Sequence, residues 1–496
     1  MDNKKNTNIT NNYGRFVEND ISSLTVGELG PTLIEDTQLI QKLAHFNRER
    51  IPERVAFARG AGAMGYFEVE ESMKQYTKAR FLQNKGERTK VFVRFSTFVL
   101  SKGSSEVVRD IRGMNIKFYT NEGNYDLVNI HLPVFYVRDA MRLPDLLHAL
   151  KPSPVTNLIL PERTWQYFSL LPETLHAITY LYAKYGIPAS YTQMEGHSVC
   201  AYKWINENND VSYVKYHFIP KNKAAYLTKQ EAQEIQKNTS ASATNNLYAN
   251  IFNKNYPKWD VYVQIMDEKA LDTFPFHPFD PTKVWSEEVL PLQKVGTLTL
   301  NEIPDNFYEY SEQVAFDPGS FVPGIEASES KLLQGLLFAY PDANRYRLGI
   351  NYPYLKVNMP LDGIHNYQQN GRMDIRNQKG EINFFPNRDP NSLKEATDSH
   401  YSEGKYFIKG VVISRFKNEY NDNFEQVGEL YRSYTKQEQD QLIENLTNAL
   451  QGVSRPIVEQ MVFYFYSADP EYGQRMADNF NLNMQNIILK YDQTLN

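Results

Sequence analysis

The residues with the clearest chemical potential lie in one short stretch around Tyr340. If this stretch is helical, Leu336, Tyr340 and Arg347 share one face, because positions i, i+4 and i+11 recur after whole turns. A phenolate is a hard anionic ligand that suits ferric iron, and a guanidinium two turns away suits a carboxylate. The chain has 34 tyrosines, however, and a tyrosine on an apolar helix face usually belongs to the core. The rest of the chain must decide between these interpretations.

Composition and charge limit the classes of function. The chain has 496 residues, of which 41% are hydrophobic and 23% charged, and its net charge is -6. Because the basic residues are not clustered, we expect neither a nucleic-acid groove nor a membrane-binding surface. A single cysteine, Cys200, excludes an internal disulfide framework and is typical of a reducing compartment. The N-terminus lacks the apolar segment of a secretory signal, and no run is long enough to span a membrane, so we expect a cytoplasmic protein.

Hydrophobic periodicity predicts many strands interrupted by helices, which is typical of an antiparallel barrel with insertions. Strands are predicted at residues 90–97, 114–119, 125–137, 212–219 and 259–266. Helices are predicted at residues 172–183, 229–237, 436–450, 456–466 and from 476 to the end. Residues 300–415 are rich in Pro, Asn, Gly and Asp. A connection of that length is expected to wrap the barrel or a partner subunit.

Seven short stretches resemble the monofunctional haem catalases. They are RIPERV (50–55), VRFST (93–97), RDIRG (109–113), KFYT (117–120), PFD (278–280), TKVW (282–285) and FAYPD (338–342). The likeness runs in register from about residue 20 to the end. It implies an α+β haem-catalase fold, namely an antiparallel β-barrel with helical insertions, a wrapping segment and a C-terminal helical domain.

The resemblance also implies a division of the chain and a set of partners. The implied parts are an N-terminal arm (1–60), a β-barrel haem domain (61–300), a wrapping segment with the proximal helix (301–415) and a C-terminal helical domain (416–496). The family binds haem b and forms homotetramers with exchanged arms. Its substrate class is hydrogen peroxide or a related hydroperoxide.

Several cofactor-binding positions of the family match this sequence. Tyr340 matches the proximal ligand of the haem iron. The other matches are Arg54, Arg94 and Arg347, around the haem carboxylates, and Ser96 and Phe135, in the pocket. A planar guanidinium suits bidentate pairing with a carboxylate. Asp110 matches a carboxylate of the access channel.

The catalytic positions of the family do not match. Phe57 stands where the family has its distal histidine, and Ile130 stands where it has its distal asparagine. Neither side chain can move a proton between the oxygens of a peroxide, and losing a positioned acid/base costs about 10²–10⁴ in rate. His131 is expected to face away from the pocket, because neighbours on a strand point to opposite faces, unless a bulge reverses them.

The proximal side and the pocket walls differ as well. Leu336 replaces an arginine that, one turn before Tyr340, would hold the phenolate ionised. Tyr340 can still bind iron, because a metal ion acidifies its own ligands. Phe98 and Leu143 are not the usual pocket residues, which predicts a reshaped and more apolar cavity.

A second cofactor, NADPH, is not expected. Positions that bind NADPH in some family members carry Tyr185, Ile219 and Glu287 here. His176 remains from that set, and a lone histidine of this kind is usually structural.

Three functions stay open on the sequence. The favoured one is a haem-binding protein linked to hydrogen peroxide or organic hydroperoxide chemistry, in which disproportionation of hydrogen peroxide is weak or lost. The second is an active catalase, which converts two hydrogen peroxide molecules to oxygen and water with another proton carrier. The third is a non-enzymatic haem-binding or scaffold relative. Whether the chain is an enzyme therefore depends on the geometry of the site.

Overall fold

Ten strands of the described part form one antiparallel sheet in the computed structural model of the protein. The structure describes residues 7–376, 380–405, 414–415 and 422–491. The strands are β1 (Gly60–Val69), β2 (Arg88–Thr97), β3 (Arg112–Thr120), β4 (Gly123–Leu127), β5 (Gly196–His197), β6 (Tyr202–Ile205), β7 (Val211–Pro220), β8 (Lys258–Asp267), β9 (Gln293–Glu302) and β10 (Ile325–Ala327). Their order is β10-β6-β7-β8-β9-β1-β2-β3-β4, and β5 pairs with β7.

Helices precede, interrupt and follow the strands. They are α1 (Thr37–Phe46), α2 (Leu143–Leu150), α3 (Pro161–Ser169), α4 (Leu175–Tyr182), α5 (Lys229–Asn238), α6 (Ser242–Phe252), α7 (Lys331–Leu348), α8 (Glu425–Ser433), α9 (Lys436–Leu450), α10 (Arg455–Ala468), α11 (Pro470–Asn479) and α12 (Met484–Tyr491). Within the described residues, no helix has the length and apolarity needed to cross a membrane.

Contacts divide the chain into two units, with the boundary after Glu53. In the first unit, α1 begins at a side-chain cap, since the Asp36 carboxylate accepts a hydrogen bond from the Leu39 N–H. The second unit contains the whole sheet and the remaining helices. The four parts implied by the resemblance stay a prediction.

The sheet is tightly packed around β1. A Cβ atom on Gly62 would lie 2.2 Å from the Phe92 ring, so only glycine permits this approach of β1 to its neighbour. On β2, Val91, Val93 and Phe95 belong to the main hydrophobic core. Both faces of β2 are buried from Val91 onwards, so the polar residues Arg94, Ser96 and Thr97 are buried together with the apolar ones.

Ile130, in the segment that follows β4, connects two strands of the curled sheet through its backbone. Ile130 forms bridges to Gly113 on β3 and to His197 on β5. Its N–H donates to the His197 carbonyl at 3.0 Å, and the His197 N–H donates back at 2.7 Å. The residue that stands in place of the family's distal asparagine is therefore fixed by backbone contacts on both sides.

Two predicted elements are wrong in extent. The strand predicted over 125–137 ends at Leu127, and the chain that follows contains Pro133, which cannot donate to a ladder. The single helix predicted from 476 to the end is divided between α11 and α12. The break coincides with Asn481, whose φ of 51° lies in the left-handed region, and a helix cannot continue through that conformation.

The stretch around Tyr340 is helical. In α7 the Ser330 hydroxyl caps the N-terminus by accepting from the Leu333 N–H. Pro341 lies inside the helix, where it lacks the N–H that would bond to the Leu337 carbonyl. The helix ends before Gly349, whose φ of 89° suits a residue without a Cβ.

Candidate active site

One cavity collects side chains from β2, β3, the segment after β4, and α7. Its polar lining residues are Arg54, Arg94, Asn115, Asn129, Tyr340, Asn344 and Arg347. Its apolar lining includes Phe57, Phe98, Ile130, Phe135, Leu143, Leu147 and Leu336. The structure therefore brings together all the predicted cofactor-binding positions except Ser96.

One face of α7 forms part of the cavity wall. Leu336, Tyr340, Asn344 and Arg347 all line the cavity, as expected for positions separated by whole turns. The Asn344 amide donates to the Phe316 carbonyl at 2.9 Å. This bond ties the helix to the segment that supplies another part of the wall.

Three arginines converge on a single π-helical turn, Tyr308–Glu312. Arg54 donates to the carbonyls of Ser311, Glu312 and Val314 at 2.9–3.1 Å. Arg94 donates to the Ser311 carbonyl at 3.2 Å, and Arg347 donates to the Glu312 carbonyl at 3.2 Å. Short π-helical segments are often found at functional sites, and this one gathers three cations beside the cavity.

Two of these arginines, Arg54 and Arg94, are cations whose donated hydrogen bonds within the described residues go to backbone carbonyls. Burial lowers the pKa of Arg54, and the guanidinium groups of Arg94 and Arg347 lower it further. Burial also lowers the pKa of Arg94, to about 10. Glu312 is the carboxylate that opposes all three shifts, and it lies 3.2 Å from the Lys102 ammonium. Buried charges are normally paired, so this end of the cavity suits an anionic group such as a carboxylate.

Phe57, Phe98 and Phe135 form an aromatic wall. The ring centres of Phe57 and Phe98 lie 4.9 Å apart, and those of Phe98 and Phe135 lie 5.8 Å apart. Phe57 has a φ of 60°, which is rare and strained for a bulky residue. Two hydrogen bonds hold this conformation: the Phe57 N–H donates to the Phe98 carbonyl, and the Arg94 guanidinium donates to the Phe57 carbonyl, both at 2.8 Å.

Gly113 makes room for the Phe57 ring. A Cβ atom on Gly113 would lie 3.1 Å from that ring and 2.6 Å from the Ser96 hydroxyl. Ser96 is buried behind Phe57 and is not part of the cavity lining. Its predicted part in cofactor binding therefore has no direct contact with the cavity to support it.

Asp110 also acts behind the aromatic wall. Its carboxylate accepts from the N–H groups of Phe98, Val99 and Ile111 at 2.7–3.0 Å. Burial raises the pKa of Asp110. The side chain holds the backbone of Phe98 in place and does not line the cavity.

His131 faces away from the cavity, as predicted. Its Nδ1 accepts from the Arg112 N–H at 2.9 Å, so Nε2 carries the proton and donates to the Tyr185 carbonyl at 3.0 Å. Strand alternation is not the cause, because β4 has already ended and three consecutive residues, Val128, Asn129 and Ile130, all line the cavity. The two hydrogen bonds fix the neutral imidazole instead.

This environment makes His131 a source of acid lability. Burial lowers the pKa of His131 to about 3, and the nearby Arg112 adds to the shift. The unfolded chain takes up a proton below about pH 6.5 whereas the folded chain does not, so stability is lost as the pH falls from 6.5 towards 3. We expect His131→Asn to reduce the slope of unfolding free energy against pH by about 1.4 kcal/mol per pH unit in that range. Urea unfolding between pH 7 and pH 5 measures the slope.

A matched control for this prediction is the exposed histidine His365. His365→Asn is expected to leave the slope as in the parent chain. An unchanged slope in His131→Asn would show that His131 is protonated within the folded protein.

Two asparagines of the cavity are not among the residues selected from the sequence. Asn115 lies on β3, where its pairing with Arg94 places it on the wall. Asn129 stands where the family motif has glycine, and its Oδ1 has no hydrogen-bond partner among the described residues. The sequence offers one signal for each residue. Asn115 is a polar residue between the apolar Met114 and Ile116, and Asn129 is a side chain at a position where the family has glycine.

Tyr340 carries the phenol of the cavity. Burial raises its pKa to about 12, and the nearby Asn115 side chain opposes that shift. Leu336 supplies no charge to this side of the cavity. A metal ion bound at this oxygen would favour the ionised form of the phenol.

Family models match most of the chain. The model described as Catalase matches residues 10–391, and the model described as Catalase-related immune-responsive matches residues 417–480. The catalase of Listeria seeligeri is 44% identical over 482 residues, which cover 97% of this chain and 98% of that protein. Catalase-1 of Arabidopsis thaliana is 43% identical over 480 residues, which cover 95% and 96%.

Solved structures match the fold. The structure of a bacterial catalase gives a TM-score of 0.90 at 35% identity and covers 97% of both chains. Catalase A from Saccharomyces cerevisiae gives a TM-score of 0.91 at 34% identity and covers 96% of this chain and 99% of that one. These matches confirm the predicted α+β fold, with its curled antiparallel sheet and added helices.

Proposed function

The chain belongs to the catalase family, and from this we propose that it is a haem b-dependent oxidoreductase that breaks down hydrogen peroxide. The observation that supports this most directly is a cavity in which the Tyr340 phenol and three convergent arginines meet. From the sequence we favour weak or lost disproportionation. Similarity to catalases over almost the whole chain supports the alternative better, namely disproportionation with another proton carrier.

The residues present fit a haem. Arg54, Arg94 and Arg347 would hold its two carboxylates, because they place three guanidinium groups at one end of an apolar cavity. Tyr340 would bind the iron through its phenolate oxygen, the ligand type used in catalases. A bound haem supplies the iron at which a peroxide is cleaved and a second peroxide is oxidised.

Proton movement is the step for which this chain lacks the family residues. A peroxide must lose a proton from one oxygen and gain one on the other, and neither Phe57 nor Ile130 can carry it. Asn129 lines the cavity, and its Oδ1 has no hydrogen-bond partner in the part of the chain that the structure describes. This oxygen can accept a hydrogen bond from a water molecule or a peroxide hydroxyl and so hold the proton carrier in place. A water molecule without a nearby base is a poor carrier, so we expect a rate below that of catalases with a distal histidine.

An organic hydroperoxide is a second candidate substrate. The aromatic wall is continued by Leu143 and Leu147, and an apolar wall favours a substrate with an apolar tail. A fatty hydroperoxide would place its tail against these residues and its O–O group near Asn129. A higher kcat/KM for such a substrate than for hydrogen peroxide would favour this candidate.

Assembly, location and a second cofactor are further parts of the proposal. The family resemblance supports a homotetramer, and the single cysteine supports a cytoplasmic location. NADPH is not part of the proposal, because Tyr185, Ile219 and Glu287 do not match the family's binding positions.

The first test is the absorption spectrum of the purified full chain after addition of haem. We expect a Soret band at one haem per chain and oxygen release on addition of hydrogen peroxide. Tyr340→Phe should weaken haem retention about tenfold or more, because it removes the iron ligand. Tyr346→Phe is the matched control, since Tyr346 lies on the same helix and is 78% exposed.

The outcomes separate the candidate functions. A folded chain without a Soret band would contradict the proposed function and leave a scaffold protein. A Soret band with turnover of an organic hydroperoxide and no oxygen release from hydrogen peroxide would favour the second candidate. Equal haem loss in both tyrosine variants would contradict the assignment of Tyr340 as the ligand.

A further inference from the structure

Two histidines of the sheet face each other through the same ring nitrogen. His197 on β5 and His217 on β7 are register partners, and their Nδ1 atoms lie 2.9 Å apart. The His197 Nε2 lies 3.1 Å from an oxygen of Glu195, and the His217 Nε2 lies 3.1 Å from the Gln264 oxygen. The four side chains therefore form one continuous chain of hydrogen bonds.

Gln264 fixes the proton at one end of this chain. Its side-chain nitrogen donates to the carbonyls of Trp285 and Leu290 at 3.0 and 2.7 Å, so its oxygen is the atom that faces His217. An amide oxygen can only accept. The His217 Nε2 must therefore carry a proton, and in a neutral ring its Nδ1 is then a bare acceptor.

Glu195 fixes the proton at the other end. Its side chain is 27% exposed. Burial alone would raise the pKa of Glu195, but the hydrogen bond and charge of His197 and the charge of Lys184 hold it below its ordinary value. The ionised carboxylate can only accept, so the His197 Nε2 carries a proton too, and in a neutral His197 the Nδ1 is also a bare acceptor.

Two neutral rings would thus place two bare nitrogens face to face at a hydrogen-bonding distance, which leaves both without a donor. We infer that the pair binds one additional proton: His197 is a buried imidazolium that donates through Nε2 to Glu195 and through Nδ1 to the Nδ1 of His217. This proton site is independent of the proposed haem function.

The surroundings favour His197 over His217 as the carrier. Burial lowers the pKa of His217 well below its ordinary range, and the charges of His197 and Lys215 lower it further. Burial also lowers the pKa of Lys215 to about 8, so this amine loses its proton in the alkaline range as well. The remaining ionisable neighbours are the neutral His131, which feels the charge of His197, and three tyrosines near Glu195, namely Tyr180, Tyr185 and Tyr226.

The proton site is connected to the cavity wall by the backbone of His197. Ile130, which lines the cavity, exchanges both of its backbone hydrogen bonds with His197. β5 is only two residues long, and a Cβ atom on its Gly196 would lie 2.6 Å from the Met114 sulfur of β3. If the proton leaves, two acceptors oppose each other between β5 and β7, and the hold of β5 on Ile130 should weaken.

The first measurement counts the protonated ring nitrogens of the pair. Magic-angle-spinning ¹⁵N NMR of the full chain, labelled in its histidines, is recorded at about pH 7.5, and the spectrum of the double variant His197→Phe, His217→Phe is subtracted. We expect the pair to contribute three nitrogens with a proton and one without. Two of each would show two neutral rings and overturn the inference. The double variant His197→Gln, His217→Gln serves for the subtraction if the phenylalanine variant does not fold.

The second measurement tests the link to the cavity wall. Amide exchange of the peptide that contains Ile130 is followed from about pH 7 to about pH 9.5 and corrected for the intrinsic rise of exchange with pH. Protection should fall about tenfold or more as the proton leaves, because a charged hydrogen bond is lost. Glu195→Gln removes the counter-charge and should move this fall to lower pH, whereas Glu288→Gln, at an exposed glutamate, should leave it in place. A fall that stays at the same pH in Glu195→Gln would assign it to Lys215 and overturn the link, as would constant protection in the parent chain.

Discussion

Oxygen release from hydrogen peroxide is expected to rise about 10²–10⁴-fold in the haem-loaded double variant Phe57→His, Ile130→Asn. The two substitutions return a proton carrier and its polar helper to the cavity wall. Backbone contacts fix both positions independently of the side chain. Position 57 keeps its φ of 60° through hydrogen bonds to Phe98 and Arg94, and position 130 is held by two β-bridges. Initial rates on an oxygen electrode, per haem, measure the gain.

The single variants separate the two contributions. Ile130→Asn alone adds a hydrogen-bonding group without a base and should raise the rate less than about tenfold. Phe57→His alone should give most of the gain, since the imidazole carries the proton. If the haem-loaded double variant is no faster than the parent, the missing acid/base is not what limits the rate, and Leu336 or the shape of the cavity becomes the main obstacle.

The fold could be predicted from the sequence because many local signals agree. Period-two segments place β2, β3, β7 and β8 close to their observed bounds, and collinear motifs extend over nearly the whole chain. The errors lie where one residue controls the backbone. The strand predicted to continue after Leu127 would include Pro133, which cannot donate to a ladder, and the helix predicted from 476 is broken at Asn481.

The residues of the site could be predicted from the sequence only in part. Tyr340, Arg347 and Arg94 follow from helix spacing, strand alternation and motif register. Asn115 does not, because its place in the cavity wall depends on how β3 and α7 come to line the same cavity, which no local pattern reveals. His131 shows the opposite case: its direction was predicted correctly from strand alternation, although hydrogen bonds to Arg112 and Tyr185 are the actual cause.

Lys117→Met is expected to reduce the free energy of unfolding by about 3–5 kcal/mol, because it leaves one partner of a buried ion pair alone. The Lys117 ammonium lies 2.7 Å from both oxygens of Asp126, and the two side chains are 4% and 1% exposed. Asp126 also accepts from the Asp317 N–H at 2.8 Å. The ammonium lies 5.7 Å from the Phe316 ring, which lines the cavity. Denaturant unfolding at fixed protein concentration measures the loss.

Two further variants show whether the loss in the free energy of unfolding comes from the broken ion pair or from the burial of Lys117. Lys117→Met with Asp126→Leu removes both charges and should recover much of the loss, since apolar replacement of a buried pair is often neutral. The Asp317 N–H would still lack its acceptor, so a deficit of about 1–3 kcal/mol should remain. Lys85→Met breaks an exposed pair with Glu71 and should cost less than about 1 kcal/mol. A double variant as unstable as Lys117→Met would show that the methionine itself disrupts the packing between β3 and the cavity wall.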